Sequence, residues 1–146
     1  MRQVVAMPFK MKTSENVDWV ASGRISNIID ARLGECLTNA VRAFLDFPES
    51  LPSDATFIEG FYIYGGQFMA HTWIETSNKI IDLSLVNDLN TDLRNNVKYY
   101  PIQQRSIYEI QKLYGDRPRK PGERMLMKLG RDDPRVVKLE AEVDRP

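Results

Sequence analysis

Residues 57–64, Phe-Ile-Glu-Gly-Phe-Tyr-Ile-Tyr, run into Gly65-Gly66 and then into 67–75, Gln-Phe-Met-Ala-His-Thr-Trp-Ile-Glu, and this stretch decides the fold. Aromatic and β-branched side chains fit a pleated, half-buried surface, and a Gly-Gly pair supplies the positive φ of a two-residue hairpin loop. A strand, a tight turn and a returning strand are therefore expected. Thr76-Ser77-Asn78 marks the next turn and 79–85 a third strand, which completes an antiparallel meander; 97–102 suggests a fourth. With Gly65-Gly66 as the loop, Tyr64 pairs with Gln67, Tyr62 with Met69 and Gly60 with His71.

On the N-terminal side of the meander, Leu37, Ala40, Val41, Phe44 and Leu45 recur at helical spacing until Pro48 stops the run, so 35–47 is expected to be helical. Val17, Val20, Ala21, Ile25, Ile28 and Ile29 suit an earlier helix packed inward, with Gly23 a break point. On the C-terminal side, 106–114 places Ile107, Ile110, Leu113 and Tyr114 on one stripe before Gly115. From Gly115 on, four of the eight prolines occur and no aromatic residue does. The domain is accordingly drawn at 1–115 and a polar C-terminal tail at 116–146, partly disordered or docked. Apolar clusters at Met125, Leu126, Met127 and Leu129, and at Val136, Val137 and Leu139, are expected to dock back on the domain.

Twenty Lys and Arg balance twenty Asp and Glu in 146 residues. No positive field steers such a chain onto nucleic acid, and aromatic residues do not interleave with Lys and Arg in a basic patch. The tail carries nine basic and seven acidic side chains against eleven and thirteen in 1–115, an asymmetry too small to imply a partner. The single cysteine and single histidine cannot build a disulfide or a Cys/His zinc site within one chain, and nothing calls for a metal or a cofactor. Met1 to Pro8 lacks a signal-peptide apolar run and no segment reaches membrane-spanning length, so a cytoplasmic protein is expected.

Cys36 stands in the first turn of the strongest helix. Unpaired N–H groups and the partial positive charge of a helix N-terminus favour a thiolate there and can hold an oxyanion later, although a lone helical cysteine is more often a small buried hydrophobe. His71 lies in the returning strand and Asp82 in the strand after it. A two-residue turn pairs Asp82 with Trp73 and a four-residue turn pairs it with His71; either puts imidazole and carboxylate on one sheet face, whereas a three-residue turn separates them. Glycine opposite the histidine, at Gly60, leaves room for a substrate or for the cysteine-bearing helix, or marks a bulge. Tyr62, Tyr64 and Gln67 are expected to flank the opening, with Trp73 and Asn39 as further substrate-binding candidates.

In order along the chain, Gly34-Glu35-Cys36-Leu37-Thr38-Asn39-Ala40, Phe57-Ile58-Glu59-Gly60-Phe61, His71-Thr72-Trp73-Ile74-Glu75 and Ile80-Ile81-Asp82-Leu83-Ser84 resemble the transglutaminase-like branch of the papain-like cysteine hydrolases. The resemblance covers roughly 34–85. It implies an α+β fold in which the cysteine-bearing helix packs on an antiparallel β-meander, with Cys36 as nucleophile, His71 as general base and Asp82 as the residue orienting it. Thr72 stands where the family has a small Ala, and Leu83-Ser84 where it has Pro-Thr. The chemistry implied is thiol-dependent acyl transfer or hydrolysis at an amide of a protein or peptide, as in a protease, deamidase or transglutaminase. Asn39, Asn27 and Gln67 are candidates for a second oxyanion donor beside the Cys36 N–H. The competing expectation is an inactive papain-like binding or inhibitory module. Oligomeric state is not legible.

Overall fold

Hydrogen bonding at two hairpin turns sets the register of the central meander. In the computed structural model, which describes residues 5–6, 11–115 and 133–143, β3 (Thr56–Tyr64) and β4 (Gln67–Glu75) pair from Tyr64 opposite Gln67 to Thr56 opposite Glu75, with Gly60 opposite His71. Gly65 and Gly66 take φ of 60° and 76°, the left-handed conformation that a tight two-residue turn demands. The next turn is also two residues long: the Thr76 N–H donates to the Lys79 carbonyl at 2.8 Å, and β5 (Ile80–Ile81) pairs Ile74 with Ile81 and Glu75 with Ile80. Continuing that register places residue 82 opposite Trp73, hence on the face that carries His71.

β5 is shorter than the strand expected over 79–85, for a local reason. The Asp82 N–H bonds to Ser22 Oγ at 3.0 Å, and the Asp82 carboxylate captures the N–H groups of Ser84 and Leu85. This turn pulls the chain off the sheet edge.

Short strands β1 (Val5–Ala6) and β2 (Lys12–Thr13) pair with one edge of β6 (Lys98–Arg105), and β6 pairs with β3, giving the order β1-β6-β3-β4-β5 with β2 also on β6, all antiparallel. The helices are α1 (Trp19–Ile29), α2 (Cys36–Asp46), α3 (Thr91–Asn96), α4 (Ile107–Tyr114) and α5 (Pro134–Val143). The fold is thus α+β. Helix α3, capped by the Asn90 side chain on the Leu93 N–H, has no sequence signal, since six residues are too few to show a period.

Helix α2 forms where its apolar spacing predicts. It buries Leu37, Ala40, Val41 and Phe44 against Phe57 and Ile74 on one face of the sheet, together with Ile25 and Ile29 of α1 and Ile110 and Tyr114 of α4. Each large side chain removed from water here contributes roughly 1.5–3 kcal/mol. Helix α1 runs unbroken through Gly23, capped by Asp18 on the Ala21 N–H. Its inward stripe is Ser22, Ile25, Ser26 and Ile29, while Val20 and Ile28 face solvent, which differs from the expectation. On the opposite sheet face Ile58, Trp73, Ile80 and Tyr99 pack with Val17, Leu85, Leu93 and Val97. Leu139 of α5 packs with Ile63, Tyr100 and Ile102. The cluster at 125–129 and most of the N-terminal stretch through Pro8 lie outside the described residues.

Of the readings of Gly60, the bulge is borne out and the open space is not. A Cβ there would lie 2.2 Å from the Tyr100 carbonyl oxygen and 2.8 Å from the Trp73 ring, beside the bulge where β6 slips register against β3. The space is filled by the indole and is not open to a substrate. Gly60→Ala is expected to destabilise the protein by about 1–3 kcal/mol through overpacking, read as a lower urea midpoint with an unchanged denaturant slope.

Candidate active site

The Cys36 thiol reaches His71 because two constraints act at the start of α2. Gly34 at φ 82° turns the chain, and Asn39, one helical turn into α2, holds the preceding loop: its Oδ1 accepts the Arg32 N–H at 3.1 Å and its Nδ2 donates to the Arg32 carbonyl at 2.7 Å. Asn39 is therefore a positioning residue, with both polar ends of its side chain engaged away from the cleft. With no side-chain cap from Glu35, the first N–H groups of α2 are left for other acceptors.

His71 and Asp82 meet as the register requires, with Nε2 of the imidazole 2.8 Å from Oδ2 of the carboxylate. The other ring nitrogen is left for the Cys36 thiol, which lines the same cleft and whose pKa the imidazole lowers. Asp82 is fully buried and its acceptor capacity is filled: Oδ2 also accepts the Tyr99 hydroxyl at 2.8 Å, and Oδ1 accepts the N–H groups of Ser84 at 3.0 Å and Leu85 at 2.8 Å. Tyr99 is the functional residue that sequence reasoning missed. It lies on the strand expected at 97–102, but its side chain reaches Asp82 only through the β3–β6 register, and the bulge beside Gly60 hides that register from any spacing rule.

Ring packing fixes the imidazole on both sides. Trp73 stacks beneath it with centroids 5.9 Å apart and planes 24° apart, and Tyr62 meets it edge-on at 5.2 Å and 88°. Trp73 donates its indole N–H to Glu75 Oε2 at 2.9 Å, and Glu75 also pairs with Lys12. The indole is thus a buried platform and does not present its N–H to the cleft. Tyr62 does line the cleft, with its hydroxyl on the Met69 sulfur at 3.1 Å. Tyr64 instead turns to Asp92 of α3, and Gln67 is an exposed residue flanking the Gly-Gly turn. Asn27 is exposed on α1. Of the residues singled out from sequence, the structure assembles Cys36, His71, Asp82 and Tyr62 in one place, with Trp73 and Asn39 supporting them and Gly60, Tyr64, Gln67 and Asn27 elsewhere.

The electrostatics follow from these contacts. Burial pulls the His71 imidazolium down, but the Asp82 carboxylate and the Cys36 thiolate outweigh it and push its pKa up to about 10. Burial pushes the Cys36 thiol up, while its hydrogen bond to His71, the imidazolium charge and the Thr72 N–H bring it below the ordinary thiol value. Burial likewise raises the Asp82 carboxyl and His71 more than reverses that. The two shifts, Cys36 lowered and His71 raised, both favour a thiolate–imidazolium pair beside a carboxylate.

The pair opens into a cleft of about 240 Å³ lined by Leu33, Gly34, Tyr62, Met69, Leu85 and Asp88 among others. No group of three metal-ligating side chains occurs among the described residues, and no helix among them is long and apolar enough to cross a membrane. Comparison with protein-family models, curated proteins and solved structures finds no match to this chain.

Proposed function

We propose that this protein is a thiol-dependent acyl transferase or hydrolase acting at an amide, built on a papain/transglutaminase-like arrangement of Cys36, His71 and Asp82. One observation carries the reading: the only cysteine and the only histidine of the chain line one cleft, and the histidine's Nε2 is held by a buried carboxylate. A buried hydrophobic cysteine needs none of this, and burying a carboxylate–imidazolium pair is costly without a use for it.

In the proposed reaction the thiolate attacks the carbonyl carbon, an S–C bond forms, and the carbonyl electrons move onto oxygen, which the Cys36 N–H at the helix N-terminus stabilises. The C–N bond then breaks as His71 gives its proton to the leaving amine, and a thioester remains. Water or an acceptor amine attacks the thioester while His71 takes the incoming proton. The thiolate departs and the imidazolium–thiolate pair is restored. Tyr62, whose hydroxyl has only a thioether for acceptor, is the cleft side chain best placed to add a second donor to the oxyanion.

The test is acylation by p-nitrophenyl acetate, which requires no knowledge of the natural substrate. The wild type is expected to release a burst of p-nitrophenolate and to carry an acetyl group on Cys36 by mass spectrometry, and Cys36→Ala to show neither. An equal slow release by both proteins would leave an inactive scaffold as the better account.

A further inference from the structure

The sheet leaves one edge open where the proposed chemistry occurs. β5 pairs only with Ile74 and Glu75, so among the described residues no strand lies on the outer side of 67–73 of β4. Along an antiparallel strand, main-chain groups point alternately to the two neighbours. The two-residue turns at both ends of β4 fix the phase in the same sense: Gln67, Met69, His71 and Trp73 face β3, whereas Phe68, Ala70, Thr72 and Ile74 face the open edge. The Thr72 N–H, which helps to lower the Cys36 pKa, is an outward-facing group in this phase. Ala70 is the next outward residue, two positions or about 6.6 Å along the strand. It is exposed and lines the cleft.

We propose that the acyl donor, on the reading given under Proposed function, is an extended peptide segment that adds as a strand to this edge, bonding main chain to main chain with Ala70 and Phe68 and so delivering a carbonyl to Cys36. The added strand continues in line with β5 along the same edge of β4. A peptide bonded to Ala70 has its next residue about 3.3 Å further along, which covers half the distance to the position of the thiol. Its side chains meet Leu33 and Met69, large apolar residues at the cleft that are each 54% exposed, so apolar residues are preferred near the reacting carbonyl. Main-chain pairing gives affinity independent of sequence, and these two contacts give the selectivity.

The experiment uses acetyl-Leu-Leu-Ala chloromethyl ketone, in which the Cys36 sulfur forms a bond to the methylene carbon as chloride leaves, with iodoacetamide as the control that needs no strand pairing. In the wild type, N-methylation of the probe at the amide facing Ala70 is expected to slow labelling about tenfold, and methylation at the neighbouring amide to leave it unchanged. Ala70→Pro removes the outward N–H without touching the β3 ladder, as Pro can on an edge strand. It is expected to lower the peptidyl rate to that of the methylated probe while the iodoacetamide rate stays constant, which also shows that the variant is folded. Insensitivity of the wild type to methylation at every position would overturn the proposal, as would a shift of Ala70→Pro from dimer to monomer with unchanged labelling, which would assign the edge to a second copy of this chain. If iodoacetamide finds an ordinary thiol in the wild type, the catalytic reading itself fails, and the strand-addition proposal falls with it.

Discussion

Asp82→Ala is expected to cost about 3–5 kcal/mol of folding stability, because it leaves a buried cation without its counter-charge. That is a large share of the roughly 5–15 kcal/mol that holds a domain of this kind together. The carboxylate also receives the Tyr99 hydroxyl and two backbone N–H groups, and alanine leaves all three donors unpaired in the interior. A urea titration near pH 6 checks the loss, with Asp82→Asn expected to fall between wild type and alanine.

The pH dependence follows the signs of the shifts. His71 is raised, so its contribution is fully present below its ordinary value of 6.5 and is withdrawn as pH rises toward about 10. Asp82 is lowered, so its contribution is present above its ordinary 3.8 and is lost as pH falls through the lower folded value. Cys36, also lowered, contributes most above its ordinary 9.0 and loses that contribution as pH falls. Where Cys36 is ionised in the fold but not in the unfolded chain, the proton it has released offsets the one His71 retains. In that window the two slopes oppose each other, so the alkaline decline in stability is expected to be shallower in the wild type than in Cys36→Ala.

His71→Ala is expected to lower acyl transfer by on the order of 10³-fold or more, since it removes both the cation that holds the thiolate and the acid that protonates the leaving amine. His71→Asn separates this from unfolding: the amide fills part of the ring's space and has an N–H for Asp82, yet it cannot carry the proton. Both variants are expected to show the same loss of p-nitrophenolate burst. Recovery of wild-type turnover by asparagine would mean that the histidine serves only to fill its place between Tyr62 and Trp73.

The hairpin was legible because its determinants are local. Gly65-Gly66 fixes the turn and the turn fixes the register that places Gly60 opposite His71, whereas Asp82 reaches the same face because the second turn, whose length the sequence left open, has two residues. Helix α2 was legible for the same reason, from a pattern within its own eleven residues. Tyr99 was not, because its place depends on a long connection from β5 to β6 and on the bulge opposite Gly60. The roles of Gly60 and Trp73 were misjudged together: sequence shows a missing side chain, but only the packed structure shows that the neighbouring indole occupies the gap. Tyr64 and Gln67 sit close to the cleft in sequence, yet Tyr64 is drawn to Asp92 of a short helix that no periodicity announces. Residues that act through the backbone, such as Thr72 and Ala70, carry no signal in their side chains at all.

The most direct test is the rate of Cys36 alkylation by iodoacetamide as a function of pH, in the wild type and in His71→Asn. An isolated thiol reacts with a midpoint near ~8.5, whereas a thiol paired with imidazolium is ionised well below that. The thiolate–imidazolium pair predicts reaction persisting clearly below pH ~7 in the wild type, with the midpoint moving back toward the ordinary thiol range in His71→Asn. A wild-type midpoint at the ordinary value, indifferent to the substitution, would contradict it.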